Sequence, residues 1–179
     1  MPKIPEKIEK EDGTIEWRLE GKLHREDGPA VERLDGTLVW FSRGKQHRKD
    51  GPAVQHGDGS KEWWQNGQLH REDGPAIMES DGTQEWHQGG MAHREDGPAV
   101  VRQDGVQQWW VNGERHREDG PAIKYEDGSR EWYLGGMPVD ESVVLDAGKR
   151  AEFLKKRGCS GFRVTGLVQI SKTASGCRP

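Results

Sequence analysis

A histidine, an arginine and an aspartate recur together in this chain, and these residue types could perform acid–base or metal chemistry. They belong to the motif His-Arg-Glu/Lys-Asp-Gly-Pro-Ala, whose five copies start 23 residues apart, at His24, His47, His70, His93 and His116. Neighbouring strands lie about 4.8 Å apart, so two-stranded repeats would separate equivalent histidines by roughly 9–10 Å. Two imidazoles at that distance cannot share a zinc ion, whose ligands lie about 2.0–2.3 Å from the metal. We therefore predict no metal site and no cofactor.

A single copy of the motif is also an incomplete catalytic set. No serine or cysteine accompanies it as a nucleophile, and the chain contains no Walker, GxGxxG, HExxH or GxSxG sequence. A structural role uses every residue of the motif. The aspartate would bind backbone N–H groups in a turn, the glycine would take a positive φ, and the proline would start a strand. The histidine would donate to a carbonyl, and the arginine would pair with acids of neighbouring repeats. We predict that the protein is not an enzyme.

A second signal with the same 23-residue step defines the element that carries the motif. An Asp-Gly pair is followed four residues later by tryptophan, at Trp17, Trp40, Trp63, Trp86, Trp109 and Trp132. A fixed period indicates a small unit stacked on itself. Asp-Gly between short apolar runs indicates a hairpin with a type I′ turn, in which both central residues have positive φ. The sequence predicts an all-β fold, an elongated sheet of about six stacked hairpins over residues 1–136.

The composition favours a thin core repeated along the chain. Of the 179 residues, 32% are charged and 31% are hydrophobic, which is too little apolar surface for a deep globular core. No stretch has the length and apolarity of a signal peptide or a bilayer span, so we expect a cytoplasmic protein without membrane contact. Cys159 and Cys177 match no zinc or redox spacing. Whether they pair or remain free thiols stays open.

Strand alternation divides the side chains of each hairpin between two faces. On one face we place the six fixed tryptophans, the motif Ala and Pro, and an aliphatic column of Val31, Val54, Ile77, Val100 and Ile123 as the shared core. The other face then carries an acidic column and an aromatic column. We expect this second face to be exposed and to bind a partner protein, since aromatic side chains dominate interface hot spots. The expected contacts are Phe41, Trp64, Trp110, Tyr133, Glu62 and Glu85. Alternatively, the rings only cover the sheet.

The repeat resembles MORN-type repeats and the related YwqK-antitoxin-like repeats, which are also β-hairpin units with an aromatic residue, an Asn-Gly turn and an Asp-Gly turn. The matching pieces are Trp63, Asn66-Gly67, His70 and Asp81-Gly82, and Trp109, Asn112-Gly113, His116 and Asp127-Gly128. The likeness covers about residues 5–136, and Arg-Glu-Asp-Gly-Pro-Ala replaces the usual Gly-x-Gly pair. It implies an elongated single sheet with scaffolding, protein-binding or membrane-proximal roles. The HRxDGPA variant is similar to repeats of bacterial and phage proteins, which implies an inhibitor, counter-defence or immunity-type protein.

Residues 137–179 break the period, because Val139 and Asp140 stand where the next His-Arg pair would fall. We predict a helix over 146–158 with Asp146 as N-cap, and strands over 143–145, 162–164 and 167–170. Together they would form a small mixed α/β cap on the open edge of the last hairpin. Open edges also leave a homo-oligomer as an alternative.

The C-terminal segment is basic, whereas the repeats are acidic. Residues 147–179 contain eight basic groups and one acidic group, a net charge of +7, which leaves −11 on residues 1–146. The alternative to protein binding is therefore that the tail docks on a nucleic acid or nucleotide-like ligand, with tryptophan stacking. Its candidate residues are Lys149, Arg150, Lys155, Lys156 and Arg157.

Overall fold

A computed structural model describes residues 3–156 as a series of short antiparallel strands that ends in two helices. The first repeat contributes β1 (Glu6–Glu9), β2 (Ile15–Leu19) and β3 (Lys22–Leu23). The second contributes β4 (Val31–Glu32), β5 (Leu38–Val39), β6 (Phe41–Ser42) and β7 (Lys45–Gln46). The third contributes β8 (Val54–Gln55), β9 (Lys61–Glu62), β10 (Trp64–Gln65) and β11 (Gln68–Leu69).

The last three repeats keep the same four-strand pattern. The fourth contributes β12 (Ile77–Met78), β13 (Gln84–Glu85), β14 (His87–Gln88) and β15 (Met91–Ala92). The fifth contributes β16 (Val100–Val101), β17 (Gln107–Gln108), β18 (Trp110–Val111) and β19 (Glu114–Arg115). The sixth contributes β20 (Ile123–Lys124), β21 (Arg130–Glu131), β22 (Tyr133–Leu134) and β23 (Met137–Pro138).

Two strands of every repeat belong to one long, open antiparallel sheet. Its order is β1-β2-β4-β5-β8-β9-β12-β13-β16-β17-β20-β21, and β3 pairs beside β2. The predicted all-β elongated sheet of stacked hairpins is therefore confirmed. The strands are short because each repeat leaves the long sheet after its tryptophan.

The remaining strands form a second column of hairpins that the sequence reading missed. These small hairpins are β6–β7, β10–β11, β14–β15, β18–β19 and β22–β23, and in the first repeat β3 pairs with the end of β2 in the same way. The fixed tryptophans mark the passage from the long sheet to the small hairpin. The N–H of Trp40 donates to the carbonyl of Ala53 at 2.7 Å, and its carbonyl accepts from the N–H of His47 at 3.1 Å. Each repeat thus contains two hairpins, not one.

The turns of the long sheet differ from the predicted type I′. In the second repeat the N–H of Gly36 donates to the carbonyl of Arg33 at 3.1 Å, and only Gly36 has a positive φ, of 84°. The Asp35 carboxylate accepts the N–H of Thr37 at 2.8 Å, a local bond that Asp makes without adopting a positive φ. The type I′ pattern occurs instead in the small hairpins, for example at Asn66-Gly67, with φ values of 54° and 82°.

The packed face differs from the predicted one. Val31 lies directly across from Val39 on the neighbouring strand, so both side chains point to the same side of the sheet. There they form a buried cluster with Val54, against which Phe41 and Trp64 pack. The aliphatic column therefore packs with the aromatic column and not with the fixed tryptophans. The loop between the two strands sets this register, and the 23-residue period does not reveal it.

Two helices follow the last small hairpin. Helix α1 (Glu141–Leu145) is capped by Asp140, so the predicted strand over 143–145 is wrong. Its capping signal overrides the β-propensity of the two valines. Helix α2 (Ala147–Lys156) confirms the predicted helix as far as the structure describes it. Asp146 is its N-cap, accepting the N–H of Gly148 at 2.8 Å and that of Lys149 at 2.9 Å.

The helices pack on the end of the repeat array. Leu134 of the last small hairpin is fully buried with Val144 and Leu154, and Trp132 and Phe153 pack around them. None of the described helices is long and apolar enough to cross a membrane. Cys159, Cys177, Arg157 and the strands predicted over 162–164 and 167–170 lie outside the described residues.

Candidate functional site

The arginine of each motif stacks on the fixed tryptophan of its own repeat, and Arg25 also pairs with Glu32 of the next repeat at 3.3 Å. The guanidinium carbon of Arg25 lies 4.0 Å from the ring centroid of Trp17, a cation–π contact. Its Nε donates to the Asp27 carboxylate at 2.9 Å and its Nη1 donates to the Pro29 carbonyl at 3.3 Å. A Cβ on Gly28 would lie 2.9 Å from the guanidinium carbon. The other four arginines stack in the same way: Arg48 on Trp40, Arg71 on Trp63, Arg94 on Trp86 and Arg117 on Trp109.

This arrangement corrects the roles expected for two motif residues. Asp27 binds the arginine of its own motif and not the backbone of a turn. Gly28 does not have a positive φ. A glycine is needed there because the guanidinium occupies the space that a Cβ would take. The ion pair between arginine and aspartate is thus local and recurs at Arg71–Asp73, Arg94–Asp96 and Arg117–Asp119.

The histidine of each motif accepts a backbone hydrogen bond from the next repeat. His93 Nδ1 accepts the N–H of Asn112 at 3.1 Å, and the equivalent bond recurs at all five copies. An accepting Nδ1 requires a neutral ring with its hydrogen on Nε2. In the four copies with a glutamate two residues on, Nε2 faces that glutamate, 3.8 Å away for Glu95. The histidine therefore ties successive small hairpins together, and the expectation that it donates to a carbonyl is wrong.

The face that holds the aliphatic column also carries a ladder of acids and their donors. The ladder column consists of Glu16, Val39, Glu62, Glu85, Gln108 and Glu131. The residue two positions later forms the donor column, which consists of Arg18, Phe41, Trp64, His87, Trp110 and Tyr133. We call the surface formed by these two columns the ladder face.

Hydrogen bonds connect the two columns within each repeat. Trp64 Nε1 donates to Glu62 at 2.6 Å, and Trp110 Nε1 donates to Gln108 at 3.1 Å. Equivalent bonds of 2.8–2.9 Å join Arg18 to Glu16, His87 to Glu85 and Tyr133 to Glu131. Val39 is the one ladder residue without an acceptor, and it is followed by Phe41, which has no donor. The two columns therefore change together from repeat to repeat.

Three of the four ladder carboxylates have a second donor from the preceding strand or its turn. Lys10 pairs with Glu16, His56 Nε2 bonds Glu62 at 2.9 Å, and the Tyr125 hydroxyl donates to Glu131 at 2.6 Å. The Lys10 and Arg18 partners hold the pKa of Glu16 below its ordinary value, although burial opposes them. The hydroxyls of Tyr125 and Tyr133 lower the pKa of Glu131. The hydrogen bonds of Glu16 and Glu131 thus favour their ionised forms.

The predicted partner-binding residues lie together on this face but are less exposed than expected. Phe41, Trp64, Trp110, Tyr133, Glu62 and Glu85 are all half-buried. The correction has a packing cause, because Phe41 and Trp64 cover the valine cluster that the prediction placed on the other side. His87, expected at the surface, has a side chain that is only 13% exposed.

Two open clefts lie on or beside the ladder face. The first has a volume of about 610 Å³ and is lined by Phe41, Gln46, Asn66, Gly67 and Gln68 among others. The second has a volume of about 500 Å³ and is lined by Glu79, Glu85, Ala92, Val100 and Trp110 among others. It opens between the fourth and fifth repeats, where Ala92 occupies the position that Leu69 and Arg115 hold in the adjacent repeats.

The basic residues of the tail are placed differently from one another. Arg150 is directed into the repeat array, where its Nη1 donates to the carbonyl of Glu118 at 3.0 Å and its side chain is 13% exposed. It holds helix α2 on the array, and its predicted role in docking stays a prediction. Lys156 pairs with Glu152 at 2.9 Å, and Lys149 and Lys155 are exposed.

Within residues 3–156, no three His, Cys, Asp or Glu side chains are grouped so that they could hold a metal ion. No protein-family model matches the chain, and no curated protein sequence matches it. The function has to be argued from the geometry of the repeats.

Proposed function

We propose that this protein is a non-catalytic binding module that holds a partner protein along the ladder face. The observation that carries the proposal is that the two columns keep one register along six repeats, with half-buried rings in five of them and carboxylates in four, and with two open clefts beside them. An extended surface of this kind suits a protein partner, because buried aromatic anchors with a polar surround supply most of the binding free energy at interfaces. We further propose a cytoplasmic inhibitor or immunity-type role, of bacterial or phage origin, following the resemblance to MORN-like repeats.

The state of the five motifs supports a non-catalytic role. Their arginines are stacked on tryptophan, and the Nδ1 atoms of their histidines accept a hydrogen bond from a backbone N–H of the next repeat. A histidine whose Nδ1 is engaged in this way serves the packing of the repeats, as the recurrence in five copies also suggests. The motif therefore has a structural explanation that does not require a reaction.

Docking of a nucleic acid on the tail has less support among the described residues. Arg150 is committed to Glu118, and the exposed ion pair of Lys156 with Glu152 neutralises a second cation. The ladder face remains the surface that the geometry favours.

The proposed function can be tested by filling the second cleft without disturbing the packed rings. Ala92→Arg introduces the residue that the next repeat carries at the same position, Arg115, so the repeat should accommodate it. Met91→Arg is the matched control, because Met91 is the adjacent residue, is 47% exposed and points to the other side of its strand.

Immobilised wild-type protein should capture a partner from extracts of its source cells, identified by mass spectrometry. Capture should persist with Met91→Arg and be lost with Ala92→Arg. Equal capture by both variants would show that the ladder face is not the binding surface. A loss with both variants would point to bulk charge instead of this surface.

A further inference from the structure

The ladder is incomplete in the fourth repeat. Glu16, Glu62 and Glu131 each receive two side-chain donors, one from the donor column and one from the preceding strand or its turn. Within residues 3–156, Glu85 receives one, from His87 Nε2 at 2.9 Å. The residue that should supply the other donor is Glu79, which stands where the other five repeats have Lys10, Arg33, His56, Arg102 and Tyr125. An acid has therefore replaced a donor at this one place in the ladder.

The missing donor coincides with the second cleft. Glu79 and Glu85 both line this cleft of about 500 Å³, together with Asp81 and Asp104. Arg102 is the one cationic residue in the lining, and among the described residues it forms no ion pair with Glu79 or Glu85. Four carboxylates against one guanidinium make the cleft acidic, and a cation that enters it gains charge-assisted hydrogen bonds.

The walls of the cleft also suit a cationic side chain. Trp110 contributes an aromatic ring, and Ala92 and Val100 contribute apolar surface against which an alkyl stem can pack. The protein uses the same combination internally, since Arg71 stacks on the Trp63 ring while its Nε donates to the Asp73 carboxylate. A guanidinium that contacts both a ring and a carboxylate is favoured by cation–π attraction and by charge-assisted hydrogen bonding.

We propose that the second cleft binds an arginine or lysine side chain of the partner protein, whose N–H donors complete the hydrogen bonding of Glu85. This inference rests on the proposed function, because the side chain belongs to the partner that the ladder face holds. This explains why the fourth repeat has Glu79 at this position. The partner's side chain supplies to Glu85 the hydrogen-bond donor that other repeats provide from their own residues.

The test uses a small probe and a variant that repairs the ladder. The probe is the peptide acetyl-Gly-Arg-Gly-amide, with acetyl-Gly-Gln-Gly-amide as its neutral counterpart. Binding is followed in the full-length protein by NMR, through the indole N–H of Trp110. The variant Glu79→Lys places a lysine where the first repeat has Lys10, and Glu11→Lys makes the same charge change at an exposed turn residue away from the cleft.

With the wild-type protein, the arginine peptide should shift the Trp110 indole signal in a saturable way, and the glutamine peptide should not. Glu79→Lys should weaken binding at least tenfold without lowering stability to urea, because its own ammonium bonds Glu85. Glu11→Lys should bind the peptide as the wild type does. No saturable shift, equal binding by Glu79→Lys, or an equal loss with Glu11→Lys would overturn the inference.

The peptide titration needs no partner, so it separates this inference from the proposed function. If the peptide binds as expected but capture is unaffected by Ala92→Arg, the proposed function fails. If capture is lost with Ala92→Arg but persists with Glu79→Lys, the partner uses the ladder face without a cation in the cleft, and the inference fails.

Discussion

The guanidinium carbon of Arg71 lies 4.0 Å above the ring centroid of Trp63, and Gly74 closes the other side of the guanidinium. Trp63 stands at the junction between the long sheet and its small hairpin, and its N–H donates to the Ala76 carbonyl of the next repeat at 2.8 Å. The stack therefore lies where one repeat leaves the long sheet and the first strand of the following repeat begins. It recurs in five copies, as does the histidine bond between successive small hairpins.

The stack should require arginine and not merely a cation. In Arg71→Lys the ammonium cannot lie flat on Trp63 while also bonding Asp73 and the Pro75 carbonyl, so we expect a loss of about 1–2 kcal/mol in the free energy of unfolding. Urea unfolding followed by tryptophan fluorescence measures it. Arg130→Lys, at an exposed position, is the control. A loss no larger than that of the control would contradict a structural role for the stack.

Gly74 should be sensitive to a single added carbon. A Cβ at this position would lie 3.0 Å from the guanidinium carbon of Arg71, so Gly74→Ala should displace the guanidinium and cost about 1–3 kcal/mol of unfolding free energy. In an Arg71→Ala background the clash is gone, and the same change should cost much less. A double-mutant cycle gives the coupling between the two sites. If Gly74→Ala lowers the unfolding free energy equally in both backgrounds, the backbone and not the guanidinium contact is the cause of the loss.

The histidine bond should be visible at one amide. In His93→Ala the N–H of Asn112 loses its acceptor, so we expect a loss of about 1–2 kcal/mol in unfolding free energy and faster hydrogen exchange at Asn112. His93→Asn places a side-chain oxygen near the former Nδ1 and should restore part of the protection. Exchange measured by NMR distinguishes the variants. Unchanged protection of Asn112 in His93→Ala would show that the bond contributes little.

Acid should weaken the last repeat through Glu131. The hydroxyls of Tyr125 and then Tyr133 hold its pKa below the ordinary value of 4.5. A lowered pKa in the folded state stabilises the fold above that ordinary value, and the contribution is lost as the pH falls through the folded pKa. Glu131→Gln should therefore destabilise the protein near neutral pH and much less in strong acid. Urea unfolding at a series of pH values measures this, with exposed Glu126→Gln as control. A cost that does not change with pH would contradict the assignment.

Arg150 should act as the anchor of the terminal helices. In Arg150→Met the carbonyl and carboxylate of Glu118 lose a partner in a place where the Glu118 side chain is only 17% exposed. We expect a loss of about 2–3 kcal/mol and faster tryptic cleavage within residues 147–156. Lys149→Met, which removes an exposed cation from the same helix, should change neither the unfolding free energy nor the rate of tryptic cleavage at the remaining sites. Similar behaviour of the two variants would mean that apolar packing alone holds the helices.

Several local features were predictable because they depend on neighbouring residues in the chain. Asp146 was identified as a helix N-cap because a carboxylate placed before a helix can accept its first N–H groups. The same local reasoning failed at residues 143–145, where β-branched side chains suggested a strand and the cap at Asp140 produced a helix. It also assigned the type I′ turn to Asp35-Gly36, although the bond from Thr37 to Asp35 selects another turn.

The candidate site was only half predictable. The residues of the donor column could be listed from the 23-residue step, but their burial could not. Val31 faces Val39 because of the loop that joins their strands, and this pairing brings Phe41 onto the packed side. The bond between Glu62 and Trp64 left one trace in the sequence, since the second repeat has the apolar residues Val39 and Phe41 at the same two positions.

The amino-acid sequence by itself determined the repeat length, the all-β character, the end of the array near Val139 and the absence of a complete catalytic set within any one motif. Each of these follows from spacing or from short-range chemistry along the chain. Only the tertiary structure decided which face is packed, that every repeat holds two hairpins, and that Arg150 binds Glu118. Those features depend on strand register and on contacts between residues far apart in the chain, which periodicity does not encode.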